Sequence, residues 1–116
     1  MKKITALAFT ALFITGCTTN LISSSGPYDD FARCLTSKGV KMYGSDTCPH
    51  CKAQKGFFKG SFGLVDYVEC GRNADICQKA GIQAYPTWEV NGKKFEGETS
   101  LSALSEKSGC PLAPTN

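Results

Sequence analysis

Cysteine is the residue type that most constrains this chain, because seven of its 116 residues are cysteines. A density this high indicates disulfide bonds, a metal site or redox chemistry, and the compartment of the protein decides among the three. The length allows one small domain. A content of 41% hydrophobic and 20% charged residues is typical of a globular chain, and it excludes a disordered tail and a membrane-embedded bundle.

The N-terminus predicts the compartment. Two lysines at positions 2 and 3 precede an apolar run at 4–14. The run is too short for a membrane-spanning helix, which needs about 20 residues, but it has the length and flanks of a secretory signal. The residues that follow, Ile14-Thr15-Gly16-Cys17, resemble the bacterial lipobox, whose cysteine is acylated. The alternative is an ordinary signal peptide with a chance cysteine near its cleavage site.

We therefore expect an exported bacterial lipoprotein, anchored in the membrane and facing the periplasm or the cell exterior. Residues 1–16 would be the lipoprotein signal peptide, and residues 17–27 the lipidated Cys17 with a flexible, serine-rich tether. Removal of 1–16 takes two lysines from the 13 basic residues and none from the 10 acidic ones. The remaining chain is nearly neutral, and we expect no nucleic-acid partner.

The pattern of apolar residues beyond the tether predicts an α/β domain at 28–110, followed by a C-terminal tail at 111–116. The predicted order is α-β-α-β-α-β-β-α, with strands at 40–43, 65–70, 87–90 and 94–96 and helices at 29–38, from Cys48 onward, at 74–80 and at 101–107. Right-handed crossovers make the first two strands parallel. The last two strands form an antiparallel hairpin with Asn91-Gly92 as its turn.

Two cysteines, in the sequence Cys48-Pro49-His50-Cys51, lie between a predicted strand and a predicted helix. The free N–H groups and the dipole at a helix N-terminus favour an anion, and they lower the pKa of a cysteine from about 8.5 to between about 3.5 and 7. Cys51, one turn later, is placed to attack a mixed disulfide on Cys48. His50 can donate to the Cys48 thiolate or favour it electrostatically; the alternative is a surface histidine without a role.

This motif, together with Tyr85-Pro86-Thr87 and the Asn91-Gly92 hairpin, resembles the thioredoxin superfamily. It resembles most the thioredoxin-like domain that bacterial homologues of vitamin K epoxide reductase carry fused to membrane helices, also at residues 41–44, 67–70, 81–88 and Gly97. The resemblance covers residues 29–109 and implies a thioredoxin-like α/β fold, with a small mixed four-stranded sheet flanked by helices.

The resemblance also implies an enzyme, a protein thiol-disulfide oxidoreductase that needs no separate cofactor. Cys48 and Cys51 would form the redox-active disulfide, with His50 beside them. Tyr85, Pro86 and Pro49 would bind an extended peptide, Pro86 after a cis peptide bond; the alternative is a trans proline in a turn. The dipeptide Pro49-His50 is that of a strong periplasmic oxidant, which favours oxidation or isomerisation of protein disulfides over the alternative, their reduction.

The expected partners are extracytoplasmic protein thiols and disulfides. The chain departs from the family pattern in two places. Asp46-Thr47 stands where an aromatic residue commonly precedes the first cysteine, and we expect no membrane helices beside the domain. The second departure implies that a membrane redox partner resembling the vitamin K epoxide reductase homologues would be a separate chain. We expect a monomer.

The four other cysteines of the domain leave several interpretations open, since six thiols allow 15 pairings. We favour structural disulfides Cys70–Cys77 and Cys34–Cys110, because the reactive pair must be free to cycle. Chain entropy assigns these bridges about 2.5 and about 4.5 kcal/mol, respectively. In alternative interpretations Cys70–Cys77 is a second redox pair, the cysteines bind zinc or copper in a metal-binding lipoprotein, or the domain only binds proteins. The spacing of Cys70 and Cys77 argues against zinc, and we predict no metal site.

Overall fold

The computed structural model of the chain describes residue 16 and residues 26–113. The predicted signal peptide apart from residue 16, the lipidation site Cys17, most of the tether and the last three residues lie outside this part. Among the described residues, no helix has the length and apolar character needed to cross a membrane.

The secondary-structure elements of residues 26–113 follow the predicted order. The helices are α1 (Asp29–Ser37), α2 (Pro49–Phe57), α3 (Ala74–Lys79) and α4 (Leu101–Ser108), and the strands are β1 (Lys41–Gly44), β2 (Asp66–Glu69), β3 (Thr87–Val90) and β4 (Lys93–Glu96). A short 3-10 helix, Ser61–Leu64, precedes β2 and was not predicted.

Several predicted boundaries are wrong by one residue. Strand β1 begins at Lys41 and not at Val40, because the N–H of Val40 still donates to the carbonyl of Leu35 at the end of α1. Helix α2 begins at Pro49, and Cys48 is its N-cap residue with an extended backbone. N-cap residues have non-helical backbone angles, so a prediction that counts Cys48 as helical starts the helix one residue too early.

The four strands form one mixed sheet in the order β2-β1-β3-β4. Strand β1 runs parallel to β2 and antiparallel to β3, and β3 pairs antiparallel with β4. The turn between β3 and β4 has positive φ angles at both Asn91 (51°) and Gly92 (77°), as a type I′ hairpin turn requires. The predicted thioredoxin-like fold class, a mixed four-stranded sheet flanked by helices, is confirmed.

The two faces of the sheet bury separate apolar cores, because neighbouring residues of a strand point to opposite faces. Met42 of β1 belongs to the larger core, which also contains Trp88 of β3 and buried residues of α1, α2 and α4. The next residue, Tyr43, belongs to the smaller core, with Cys70 and Cys77. The larger core holds α2 on the sheet, and it thereby fixes the start of α2 at the carboxyl end of β1.

Both disulfides of the favoured pairing are present in the structure. Cys34–Cys110 joins α1 to the segment after α4, and Cys70–Cys77 joins the end of β2 to α3, with Cα–Cα distances of 5.8 and 5.7 Å. Among the cysteines of residues 26–113, Cys48 and Cys51 are the free thiols. The two bridges thus leave the Cys-x-x-Cys pair to react.

Candidate active site

Cys48 lies where the loop after β1 enters α2, and its side chain is partly exposed. Pro49 occupies the first turn of α2, where the missing proline N–H leaves no helical hydrogen bond unmade. The pKa of Cys48 lies below its ordinary value, chiefly because the backbone N–H of Cys51 hydrogen-bonds to the sulfur. The Cys51 thiol and the backbone N–H of His50 add to this effect, whereas partial burial and the charge of Glu98 oppose it.

Cys51 is the inner sulfur of the pair and is fully buried. Burial raises its pKa to about 11, and the neighbouring Cys48 adds to the increase. The sulfur packs against Gly44 of β1, where a Cβ atom would lie only 2.7 Å from Cys51 Sγ. The two thiols are therefore unequal: Cys48 is partly exposed and has a lowered pKa, whereas Cys51 is buried and stays protonated at neutral pH.

The loop before β3 lies beside Cys48. The peptide bond between Tyr85 and Pro86 is cis, the form that the resemblance implies. Cys48 Sγ lies 3.8 Å from the carbonyl oxygen of Tyr85, to which the thiol donates. Pro86 is buried and Tyr85 is 42% exposed. The structure thus brings the two predicted peptide-binding residues to the exposed sulfur, and predicted Pro49 lies exposed directly after Cys48.

His50 contributes to the site through its backbone, whose N–H hydrogen-bonds to Cys48. Its imidazole is 72% exposed, and Nδ1 lies 3.5 Å from Oε2 of Glu98. The sequence interpretation assigned the imidazole itself to the Cys48 thiolate; the structure instead gives that contact to the backbone and the imidazole to Glu98. The sequence did not identify Glu98, since nothing in its neighbourhood marks a charge as functional.

Asp46, the departure from the family pattern, is the centre of a charged group that we call the Asp46 cluster. It consists of Asp46, Lys55, Tyr67, Glu69 and Arg72. Lys55 Nζ lies 3.0 Å and Arg72 Nη2 3.2 Å from the Asp46 carboxylate, which also accepts a hydrogen bond from the Tyr67 hydroxyl. The pKa of Asp46 is lowered, first by the hydrogen bond from Lys55. The Glu69 carboxylate accepts from the backbone N–H groups of Asp46 and Arg72. The cluster holds the loop that leads into Cys48.

Gln54 is a fully buried polar residue of α2 with all of its contacts across the fold. Its Nε2 donates to the carbonyl of Thr99 (2.9 Å), and its Oε1 accepts from Nε1 of Trp88 (3.1 Å) and from the N–H of Thr99 (2.6 Å). These three bonds join α2 to β3 and to the segment before α4. No sequence pattern marks this role of Gln54, because its partners lie 34 and 45 residues away.

The metal-binding alternative requires a cluster of ligating side chains. Cys70 and Cys77 are joined to each other, so their sulfurs do not complete a four-cysteine zinc site with Cys48 and Cys51. Across residue 16 and residues 26–113, no group of three or more histidine, cysteine, aspartate or glutamate side chains is arranged to hold a metal ion.

Comparison with known proteins finds oxidoreductases among the relatives. The chain is 37% identical to the thiol-disulfide oxidoreductase LTO1 of Arabidopsis thaliana over 108 residues, covering 84% of this chain and 29% of that protein. It is 33% identical over 73 residues to the protein disulfide isomerase-like 2-1 of Oryza sativa subsp. japonica, covering 51% of this chain and 20% of that protein. The chain thus spans less than a third of the length of these curated relatives. No protein-family model matches it.

Two solved structures resemble the fold in part. Thioredoxin NaTrxh from Nicotiana alata matches with a TM-score of 0.45 and 24% identity, over 59% of this chain and 67% of that one. The oxidised thioredoxin from Plasmodium falciparum matches with a TM-score of 0.44 and 18% identity, over 66% of this chain and 84% of that one.

The assignment of the fold follows from the topology of the described residues. A parallel β1–β2 pair, an antiparallel β3–β4 hairpin, a Cys-x-x-Cys at the start of the helix after β1 and a cis proline before β3 occur together. The described part of this chain therefore has a thioredoxin-like fold.

Proposed function

We propose that the protein is a membrane-anchored, extracytoplasmic thiol-disulfide oxidoreductase that oxidises or isomerises protein disulfides through Cys48 and Cys51. The observation that carries the proposal is the unequal pair of sulfurs beside the cis-proline loop: Cys48 is partly exposed with a lowered pKa, and Cys51 is buried with its pKa raised to about 11. Similarity to a named thiol-disulfide oxidoreductase over most of the chain supports the same activity.

The chemistry begins at Cys48, because an incoming thiolate reaches the exposed sulfur and not the buried one. A substrate thiolate attacks Cys48 Sγ of the disulfide form, a substrate–Cys48 disulfide forms, and Cys51 leaves and takes up a proton. A second substrate thiolate then attacks the substrate sulfur and releases Cys48 as a thiolate. The substrate gains a disulfide and loses two electrons, which the Cys48–Cys51 pair holds as a dithiol. Reduction of a substrate disulfide is the same sequence in reverse.

Peptide binding is proposed at the loop of Tyr85 and Pro86. An extended segment that pairs with the backbone at Tyr85 as an added strand would pass Cys48, since that carbonyl lies 3.8 Å from the sulfur. Pro49 borders the same exposed surface and is proposed as a further contact.

The activity is tested by oxidative refolding of reduced ribonuclease and by reduction of insulin, with the full chain in detergent. We expect Cys48→Ser to abolish both reactions. Cys51→Ser, which keeps the attacking sulfur, should accumulate mixed disulfides with substrate that a non-reducing gel resolves. Full activity of Cys48→Ser would overturn the proposal. The reduction potential of the pair then decides the direction, because a value near about −120 mV supports an oxidase and one near about −270 mV a reductase.

The membrane anchor is proposed from the sequence at Cys17, with a membrane redox partner resembling the vitamin K epoxide reductase homologues. Export in a bacterial host with labelled fatty acid should label the protein, and Cys17→Ser should remove the label and release the protein from the membrane fraction. A Cys17→Ser protein that stayed labelled and membrane-bound would contradict the anchor without affecting the proposed chemistry.

A further inference from the structure

We propose that Glu98 is a positioning residue that holds the His50 imidazole at the start of α2 and adds a negative charge to the active-site motif, where it opposes the negative charge that develops on the outer sulfur. This inference rests on the proposed function, since it concerns the poise of the same pair of sulfurs. The observation that supports it is the position of the loop of residues 97–99, which contains Glu98.

Glu98 belongs to a loop of residues 97–99, which is attached to the active site at both of its ends. The N–H of Gly97 donates to the carbonyl of Pro86 at 2.7 Å, so one end is joined to the cis-proline loop. Both backbone groups of Thr99 are bonded to the buried side chain of Gln54, so the other end is joined to α2. Glu98 is therefore held between the two elements that flank the exposed sulfur.

The side chain of Glu98 contacts His50, a residue of the active-site motif itself. Its Oε2 lies 3.5 Å from Nδ1 of His50, and its side chain remains 35% exposed. His50 and Cys48 belong to the same four-residue motif at the start of α2. A carboxylate fixed at the motif adds a negative charge near Cys48, and this charge raises the pKa of Cys48 against the hydrogen bonds that lower it.

The carboxylate that lies nearest to the motif along the chain is Asp46. Asp46, two residues before Cys48, forms salt bridges with Lys55 and Arg72, so its negative charge is offset. Glu98 has the partly exposed imidazole as its partner. It is thus the carboxylate whose removal should act most directly on the Cys48 thiolate.

The experiment compares wild type with Glu98→Gln, titrating the thiolate absorbance at 240 nm in the full-length reduced protein. Removal of one nearby, partly solvated charge should raise the ratio of Cys48 thiolate to thiol by about two- to fivefold. The equilibrium with glutathione, in which the disulfide and two glutathione molecules give the dithiol and one glutathione disulfide, should shift towards the dithiol by no more than the same factor. Glu98→Asp keeps the charge and should stay closer to wild type than Glu98→Gln.

Glu106→Gln is the matched control, because it removes the same charge from an exposed position on α4. It should leave the thiolate ratio unchanged. A merely structural role for Glu98 would lower the free energy of unfolding but would not move the thiolate ratio. An unchanged or lowered ratio in Glu98→Gln would overturn the inference. The thiolate titration does not depend on catalytic turnover. An inactive wild-type protein would therefore contradict the proposed function without bearing on the result of the titration.

Discussion

Replacing the buried Gln54 with methionine is expected to destabilise the domain by about 3 kcal/mol or more. The substitution keeps the volume of the side chain but leaves three groups without their partner: Nε1–H of Trp88 and both the N–H and the carbonyl of Thr99. Each buried group left unsatisfied costs about 1–3 kcal/mol, which gives about 3–9 kcal/mol in total. We expect the lower end, because Thr99 is 9% exposed and can turn towards water, whereas Trp88 is fully buried.

A loss of this size is a large part of the roughly 5–15 kcal/mol that stabilises a typical domain. Guanidinium unfolding, followed by the fluorescence of Trp88, measures it directly, since Trp88 is the one tryptophan of the chain. Gln78→Met, on the exposed surface of α3, is the matched control and should change the free energy of unfolding by less than about 0.5 kcal/mol. A loss below about 1 kcal/mol in Gln54→Met, with an unchanged denaturant slope, would refute the reasoning that these bonds hold α2 to the loop of residues 97–99.

Three further predictions concern the two thiols and the loop before them. In the reduced protein, limited iodoacetamide at pH 7 should modify Cys48 and spare Cys51, because the pKa of Cys51 is raised to about 11. Mass spectrometry of the peptides measures the labelling of each cysteine. Equal labelling would contradict the difference in reactivity between the two thiols. Gly44→Ala should destabilise the fold by about 1–3 kcal/mol, because the new Cβ atom meets the Cys51 sulfur. Gly56→Ala, where a Cβ atom meets nothing within 4 Å, should instead stabilise α2 by about 0.5–1 kcal/mol, and the opposite order in denaturant unfolding would show the packing argument to be wrong. The pKa of Asp46 is lowered in the folded state, first by the hydrogen bond from Lys55. The ionised carboxylate therefore stabilises the fold fully at a pH above 3.8, the pKa of Asp46 in the unfolded chain. This stabilisation is lost as the pH falls through the lower pKa of the folded state. Asp46→Asn should therefore lose less stability than wild type between pH 6 and pH 2, and an equal loss in both would contradict this.

Elements whose signals are local were predictable from the sequence. Asn91-Gly92 supplies the two positive φ angles of the hairpin turn, and Ser100 caps α4 by accepting a hydrogen bond from the N–H of Ala103. The 3-10 helix Ser61–Leu64 was not predictable in this way. Its first residue is held by a distant contact, since Ser61 Oγ accepts from the N–H of Tyr28, 33 residues earlier. Such a segment has no periodic pattern of its own.

The residues of the active site also differ in whether the sequence around them signals their role. Cys48 and Cys51 carry their signal in their spacing, and Pro86 carries it in the resemblance to a known family. Gln54 and Glu98 carry none, because a buried glutamine and a loop glutamate are ordinary residues until the fold brings them to α2 and to the motif. The motif supplies the reacting sulfurs and the backbone groups that lower the pKa of Cys48, whereas Gln54 and Glu98 reach their places only through the fold.

The difference between the two sulfurs is therefore a property of the fold more than of the motif. Cys51 is buried because Gly44 lets its sulfur approach β1, and burial is the main cause of its raised pKa. Cys48 lies at the open end of α2, where the backbone favours its thiolate and the charge of Glu98 opposes it. A change at Gly44 should consequently act on the resolving sulfur, whereas a change at Glu98 should act on the attacking one. Because the Cys51 thiol hydrogen-bonds to Cys48 and each sulfur shifts the pKa of the other, we expect the effects of the two changes on the two thiols to be non-additive in the double variant Gly44→Ala/Glu98→Gln.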